Sequence, residues 1–174
     1  MDRLDLGTYV ELDGRPAVRF VRTYPHSIDR VWSAVTNPNE LRHWFPSSVD
    51  VELKAGGTIR FSGDPYTDDR TGTVLACDPP RRLAFTWADD ELHFELEALG
   101  AGQCRFTLTN ILSERNAAAR NASGWTVCLN ELRKHLAGER TDGPHSASTL
   151  PFQPLYDAHV AAGLPSGAEI PSLA

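Results

Sequence analysis

Two hydrophobic periods divide this chain. From residue 49 to 112, apolar side chains recur at every second position. Val49-Asp50-Val51-Glu52-Leu53 alternates cleanly, and Leu92-His93-Phe94-Glu95-Leu96-Glu97 repeats the pattern. Alternation of this kind places one set of side chains on a buried strand face and the other in water. Further short runs at 58–61, 71–77, 83–87 and 104–109 are bounded by turn sequences: Ala55-Gly56-Gly57, the loop 63–70, Asp78-Pro79-Pro80 and Gly100-Ala101-Gly102. Strands joined by short turns predict an antiparallel meander with one apolar face. An N-terminal hairpin precedes it: residues 8–12, the turn Asp13-Gly14, then a strand over 17–24, where Val18 and Phe20 share a face.

Elsewhere the period is helical. Ile28, Val31, Trp32 and Val35 form one stripe behind Ser27, a natural N-cap. Asn37-Pro38 ends that helix and starts a short second one over 39–45, presenting Leu41, Trp44 and Phe45. The longest stripe is Ala118, Ala122, Trp125, Leu129, Leu132 and Leu136, inside a helix over 114–136 that stops before Gly138. Its polar side, with Arg120, Glu131, Arg133 and Lys134, reads as a solvated face. A half-apolar sheet and a strongly amphipathic helix each need a partner, so the class is α+β with the long helix covering the sheet. The tail, 138–174, is rich in Gly, Pro, Ser and Ala; Phe152, Leu155, Tyr156 and Val160 form one helix face that docks on the body, and the last ten residues are expected to be loose.

Composition narrows the function. The 174 residues fit one domain, and 17 Lys+Arg against 23 Asp+Glu leave a net charge of -6. A chain this acidic is a poor non-specific nucleic-acid binder, because that affinity comes from neutralising phosphates. No run approaches the ~18 apolar residues that a membrane span needs, and Met1-Asp2-Arg3-Leu4-Asp5-Leu6-Gly7 carries no targeting pattern. Cys77, Cys104 and Cys128 make neither a disulfide framework nor a CxxC pair, so the expected address is the cytoplasm with reduced thiols. The six histidines form no HExxH or i, i+4 pair. Asp64, Asp68 and Asp69 share a loop, but Leu75 stands where a calcium loop needs Glu. Ser47 and Ser48 lie in no nucleophile elbow, and no helix follows Gly100-Ala101-Gly102 to make a dinucleotide site. No cofactor is expected.

Several segments together resemble a known family. They are Val31-Trp32, Thr36-Asn37-Pro38-Asn39-Glu40-Leu41 with Trp44-Phe45-Pro46, Gly56-Gly57-Thr58-Ile59-Arg60-Phe61, Gly72-Thr73-Val74, Asp78-Pro79-Pro80-Arg81-Arg82-Leu83, Phe85-Thr86-Trp87, and Gly124-Trp125 with Cys128-Leu129 and Leu132. Their order over residues 17–137 is similar to the START-like (SRPBCC) superfamily, typified by the birch-pollen allergen, and within it to the branch named after an activator of a heat-shock-protein ATPase. The resemblance implies a helix-grip fold: a curved antiparallel sheet wrapped around a long C-terminal helix, with two short helices after the first long strand. On that basis residues 1–137 form one START-like domain with its N-terminal hairpin, and 138–174 a partly docked tail.

The resemblance also implies a cavity between sheet and helix that takes a hydrophobic or aromatic small molecule. By parity or helical phase, Trp44, Phe61, Phe85, Trp87, Phe94, Phe106 and Trp125 project toward that interface. The candidate ligand-binding set is Trp44, Phe61, Trp87, Phe94 and Trp125 as walls, Asn110 and Asn121 as orienting amides, and Cys128 one turn after Trp125. Two other readings stand beside this one. A cyclase- or aromatase-like enzyme on the same scaffold needs an acid or base inside, and no Asp, Glu or His is clearly inward. An interaction module would be a chaperone partner or a homodimer using sheet edge and tail.

Overall fold

A computed structural model describes residues 5–171. Eight strands form one antiparallel sheet: β1 (Thr8–Leu12), β2 (Arg15–Tyr24), β3 (Ser48–Val51), β4 (Thr58–Ser62), β5 (Arg70–Asp78), β6 (Arg82–Trp87), β7 (Asp90–Gly100) and β8 (Gln103–Ile111). Their spatial order is β1-β2-β8-β7-β6-β5-β4-β3. The sheet is therefore a meander whose N-terminal hairpin has been added beside the last strand. Asp13 and Gly14 both have positive φ (51° and 75°), the backbone a two-residue hairpin turn with strand-matched twist requires. A bulge between Val74 and Ala76 in β5 marks where the sheet bends.

Two short helices, α1 (Ile28–Thr36) and α2 (Pro38–Leu41), follow β2. Ser27 caps α1 by accepting from the Arg30 backbone N–H, and Asn37 caps α2 by accepting from that of Asn39. The second helix stops at Leu41, short of the expected residue 45. Trp44 and Phe45 are 0% and 2% exposed, and the Trp44 indole donates to the Ala34 carbonyl at 3.0 Å, so the chain turns inward instead of prolonging the helix. The long helix α3 (Ala118–Leu136) begins after a 3-10 turn at Arg115–Ala117. All six residues of its predicted stripe are buried against the sheet.

The polar side of α3 is not uniformly solvated. Glu131 is 0% exposed, because the tail folds over it: its carboxylate accepts from Lys134 Nζ at 3.0 Å and from the Asp142 backbone N–H at 3.2 Å. The tail then forms α4 (Phe152–Ala161), which packs on α3. Its buried face holds Leu155 and His159, whereas Val160 is exposed, so the docked stripe is rotated from the expected Phe152/Leu155/Tyr156/Val160 face. The imidazole of His159 accounts for the rotation. Nε2 accepts from the Gly7 backbone N–H at 3.0 Å, while Nδ1 reaches the Leu155 carbonyl at 2.8 Å and Ser123 Oγ at 3.2 Å. The segment 165–169, expected to be loose, is tied to the start of α3. Ala119 N donates to Pro165 O, Ala168 N to Asn116 O, and Arg120 to Glu169 O. The first turn of a helix has amides without intrahelical partners, and Pro165 supplies one. The remainder of the expected loose end, Ser172-Leu173-Ala174, and Met1 to Leu4 at the start, lie outside the described residues.

Candidate ligand site

An aromatic column fills the grip. Trp125 of α3 packs on Trp87 of β6 (centroids 5.2 Å apart) and on Phe45 (5.7 Å). Phe45 in turn meets Phe61 of β4 at 6.0 Å and Phe85 at 6.4 Å. Deeper in, Trp44 lies 6.0 Å from Phe94, and Phe94 lies 5.5 Å from Phe106 in a T-shaped pair. These separations are those of direct aromatic contact. The structure thus brings Trp44, Phe61, Trp87, Phe94 and Trp125 into one cluster, with Trp44 and Phe94 at its fully buried end and Trp87 only half-buried. Cys128, one turn after Trp125, is buried too, and burial pushes its thiol pKa well above the ordinary value.

The amides sit at one end of this column, on protein partners. Asn110 of β8 is 0% exposed. Its Nδ2 donates to Asp90 at 3.0 Å, while its Oδ1 accepts from Asn121 Nδ2 at 3.0 Å and from the Trp125 indole at 3.2 Å. Asn121 also donates to Asp90 at 3.3 Å, and its Oδ1 accepts from Arg120 at 3.0 Å. Asp90 further accepts from the Ser113 backbone N–H. The network locks the β6–β7 hairpin, the end of β8 and the first half of α3 together. It also fixes the Trp125 ring, and it engages both amides with the protein.

The opening lies at the other flank, where the tail crosses from α3 to the β3–β4 edge. The strap formed by residues 139–149 is held at several points. Glu131 takes the Asp142 N–H, Thr141 Oγ1 meets His43 Nδ1 at 2.8 Å, and His145 Nε2 donates to the Pro46 carbonyl at 2.6 Å. His145 also packs on the Tyr66 ring and lies 3.8 Å from Asp64. Under this strap is a cleft of about 400 Å³, lined by Arg42, Phe45, Pro46, Ser47, Ser48, Gly63 and the strap residues Asp142 to Ser146. Phe45 is the shared element: it is among the residues lining the cleft and its ring touches Phe61, Trp87 and Trp125.

Beside the cleft, His43 stacks on His135 at 4.4 Å, and His135 Nε2 contacts Glu40 at 2.9 Å. Burial lowers the His43 pKa, and the neighbouring His135 and Arg42 lower it further. Burial opposes the charged form of Glu40, but hydrogen bonds from Ser33, His135 and Arg30 together outweigh it and depress its pKa. The candidate set read from the sequence does not include Phe45, Arg42, Ser47 or the strap residues that line this cleft. Phe45 gave a signal, since it was one of the apolar residues of the 39–45 segment. The strap has no hydrophobic period, so nothing local marks it as a wall.

Residues 25–137 match the model of the family described as Activator of Hsp90 ATPase homolog 1-like protein. No curated protein matches the chain in sequence. Among solved structures it is similar to the conserved protein of unknown function EF2215 from Enterococcus faecalis, at 19% identity and a TM-score of 0.70, over 90% of this chain and 89% of that one. It is similar to CalU16 from Micromonospora echinospora, at 21% identity and a TM-score of 0.70, over 93% and 95%. The protein encoded by gene BPP1335 from Bordetella parapertussis resembles it at 25% identity and a TM-score of 0.66, over 95% and 94%. These likenesses span the sheet and long helix alike, and the shared architecture is the helix grip.

Proposed function

Since the chain belongs to the family of Activator of Hsp90 ATPase homolog 1-like proteins, we propose that it uses its helix grip to bind a small hydrophobic or aromatic molecule. The ligand enters beneath the strap and stacks on Phe45, with Phe61, Trp87, Trp125 and Cys128 as the walls behind it. The observation that carries this reading is the cleft of about 400 Å³ that has among its lining residues Phe45, a member of the aromatic column. That volume is within the ~300–1,000 Å³ range of small-molecule sites. Trp44 and Phe94 lie further in, as the backing against which Phe45 and Phe85 rest. Asn110 and Asn121 contribute by holding Trp125 in place.

The test is a titration with N-phenyl-1-naphthylamine, an uncharged aryl amine that fluoresces on leaving water. The expected result is saturable binding that Phe45→Leu weakens by about tenfold, the loss of a well-packed aromatic contact being of that order. A folded protein that neither binds this compound nor gains thermal stability from a panel of aryl compounds and fatty acids would overturn the reading.

A further inference from the structure

We infer that the paired imidazoles of His43 and His135 form a proton-operated latch, which holds the strap over the cleft at neutral pH and releases it as the medium turns acid. Release of the strap stands apart from the ligand reading; only its consequence for uptake rests on it. His43 stands just past α2, between the long helix and the tail. Its ring lies flat on that of His135 in α3, with centroids 4.4 Å apart and planes 13° from parallel. Its Nδ1 meets Thr141 Oγ1 of the strap at 2.8 Å, and His135 Nε2 meets the Glu40 carboxylate at 2.9 Å. Thr141 precedes Asp142, whose amide rests on Glu131. The His43 and Glu131 bonds therefore secure adjacent strap residues to α2 and α3.

Charge sets the direction of the latch. Two imidazoles in face-to-face contact titrate as a pair. One proton is held against Glu40, where burial opposes the charge but hydrogen bonds from Ser33, His135 and Arg30 keep the carboxylate ionised. A second proton, on His43, places two cations face to face, and His43 makes no ion pair among the described residues. The nearby acids are already engaged. Glu40 is shared by Arg30 of α1, Ser33 and His135; Glu131 of α3 by Lys134 and the Asp142 amide; Asp142 of the strap by Arg140 and Ser148; and Glu139 by Arg133. Burial lowers the His43 pKa, and the cations His135 and Arg42 lower it further, so the neutral ring is the form that fits the closed strap. Once released, His43 binds its proton more tightly than when closed, and opening is favoured as pH falls below about 6.5. The protonated ring gains water by turning out of the stack, and Thr141 loses its partner. His145, the other strap imidazole, acts in the opposite sense. Its Nε2 donates to the Pro46 carbonyl and lies 3.8 Å from Asp64, so a proton there tightens its attachment.

The experiment is residue-resolved hydrogen exchange on the full chain at about pH 7.5 and pH 5.0, with rates corrected for the intrinsic pH dependence of exchange. The strap amides to follow are Asp142, bonded to Glu131, and Ser146, bonded to the Gly143 carbonyl. On acidification their protection should fall about tenfold more than that of β7 and β8, a change within the range of one like-charge contact near a protein surface. His43→Gln and His135→Gln should each reduce this extra loss to less than about twofold. The first removes the second charge while keeping a group for Thr141; the second removes the charge it meets while keeping a donor for Glu40. His145→Gln should retain the response. N-phenyl-1-naphthylamine should associate faster at the lower pH with the unaltered protein, and at equal rates at both with His43→Gln. Loss of protection in equal proportion across strap and sheet overturns the latch, and so does an extra strap loss that survives His43→Gln. Failure of the amine to bind counts against the ligand site alone, because exchange decides the latch in either case.

Discussion

At the scale of single residues, Asn110 carries more than its own burial. It is one donor–acceptor pair placed between a carboxylate, an amide and an indole, and all three lose a partner if it goes. A buried polar group left unpaired costs about 1–3 kcal/mol. Asn110→Leu, similar in size but without the amide, therefore strands the Trp125 indole and leaves Asp90 with fewer donors. The expected loss is about 2–4 kcal/mol in urea unfolding, more than a Leu at a satisfied site would cause. The same variant should alter the fluorescence of Trp125, whose ring loses its anchor. A stability change below about 0.5 kcal/mol would mean that the network contributes geometry but little energy. Parity along β8 gave the inward direction of Asn110 correctly but said nothing of what would meet it. Asp90 stands opposite Trp87 at the β6–β7 turn, and that pairing is a tertiary fact no local pattern carries.

At the scale of elements, α4 is pinned by a neutral imidazole. The Nε2 atom of His159 accepts from Gly7 N–H, which requires that it carry no proton. Burial lowers the His159 pKa, and the hydrogen bond to the Leu155 carbonyl opposes this only in part. A histidine whose folded pKa lies below the unfolded value is neutral in both states above about pH 6.5. As pH falls below that point the unfolded chain takes up the proton first, so stability declines until the folded value is passed. His43 is shifted in the same direction and adds to the slope. Denaturation midpoints should therefore fall between about pH 7 and pH 5, and His159→Gln should flatten that fall without removing the His43 share. An unchanged slope in the variant would rule out His159 as a source. The acidic limb is separate. The Arg15 and His93 hydrogen bonds hold Glu91 at about 2, so its contribution is lost only as pH drops from about 4.5 toward that value. The elements themselves were largely legible in the sequence, since each depends on a local period: two in β7 and β8, and the 4-3-4-3-4 steps of α3. The face of α4 was not, because a histidine counts as polar until a backbone amide meets it.

At the scale of the molecule, the grip is complete only with its tail. Matched family residues end at 137, and the strap after them closes the flank between α3 and the β3–β4 edge. Its attachments are mostly polar: His43 to Thr141, His145 to Pro46, and Glu131 to the Asp142 amide. Segments held by few apolar contacts open at a lower free energy than the core around them. The backbone amides of 140–149 should therefore exchange with deuterium well before those of β7 and β8. Glu131 is the test point, because it is wholly buried yet lies outside the aromatic column. Glu131→Ala leaves Lys134 without its carboxylate and the Asp142 amide without an acceptor. Exchange across the strap should accelerate by about tenfold or more, as expected for loss of a charge-assisted bond, while β7 and β8 remain protected. If the strap gates the mouth, N-phenyl-1-naphthylamine should also associate faster with this variant. Equal acceleration in strap and sheet would instead make Glu131 a support of the entire fold, and the strap would cease to be a separately opening part.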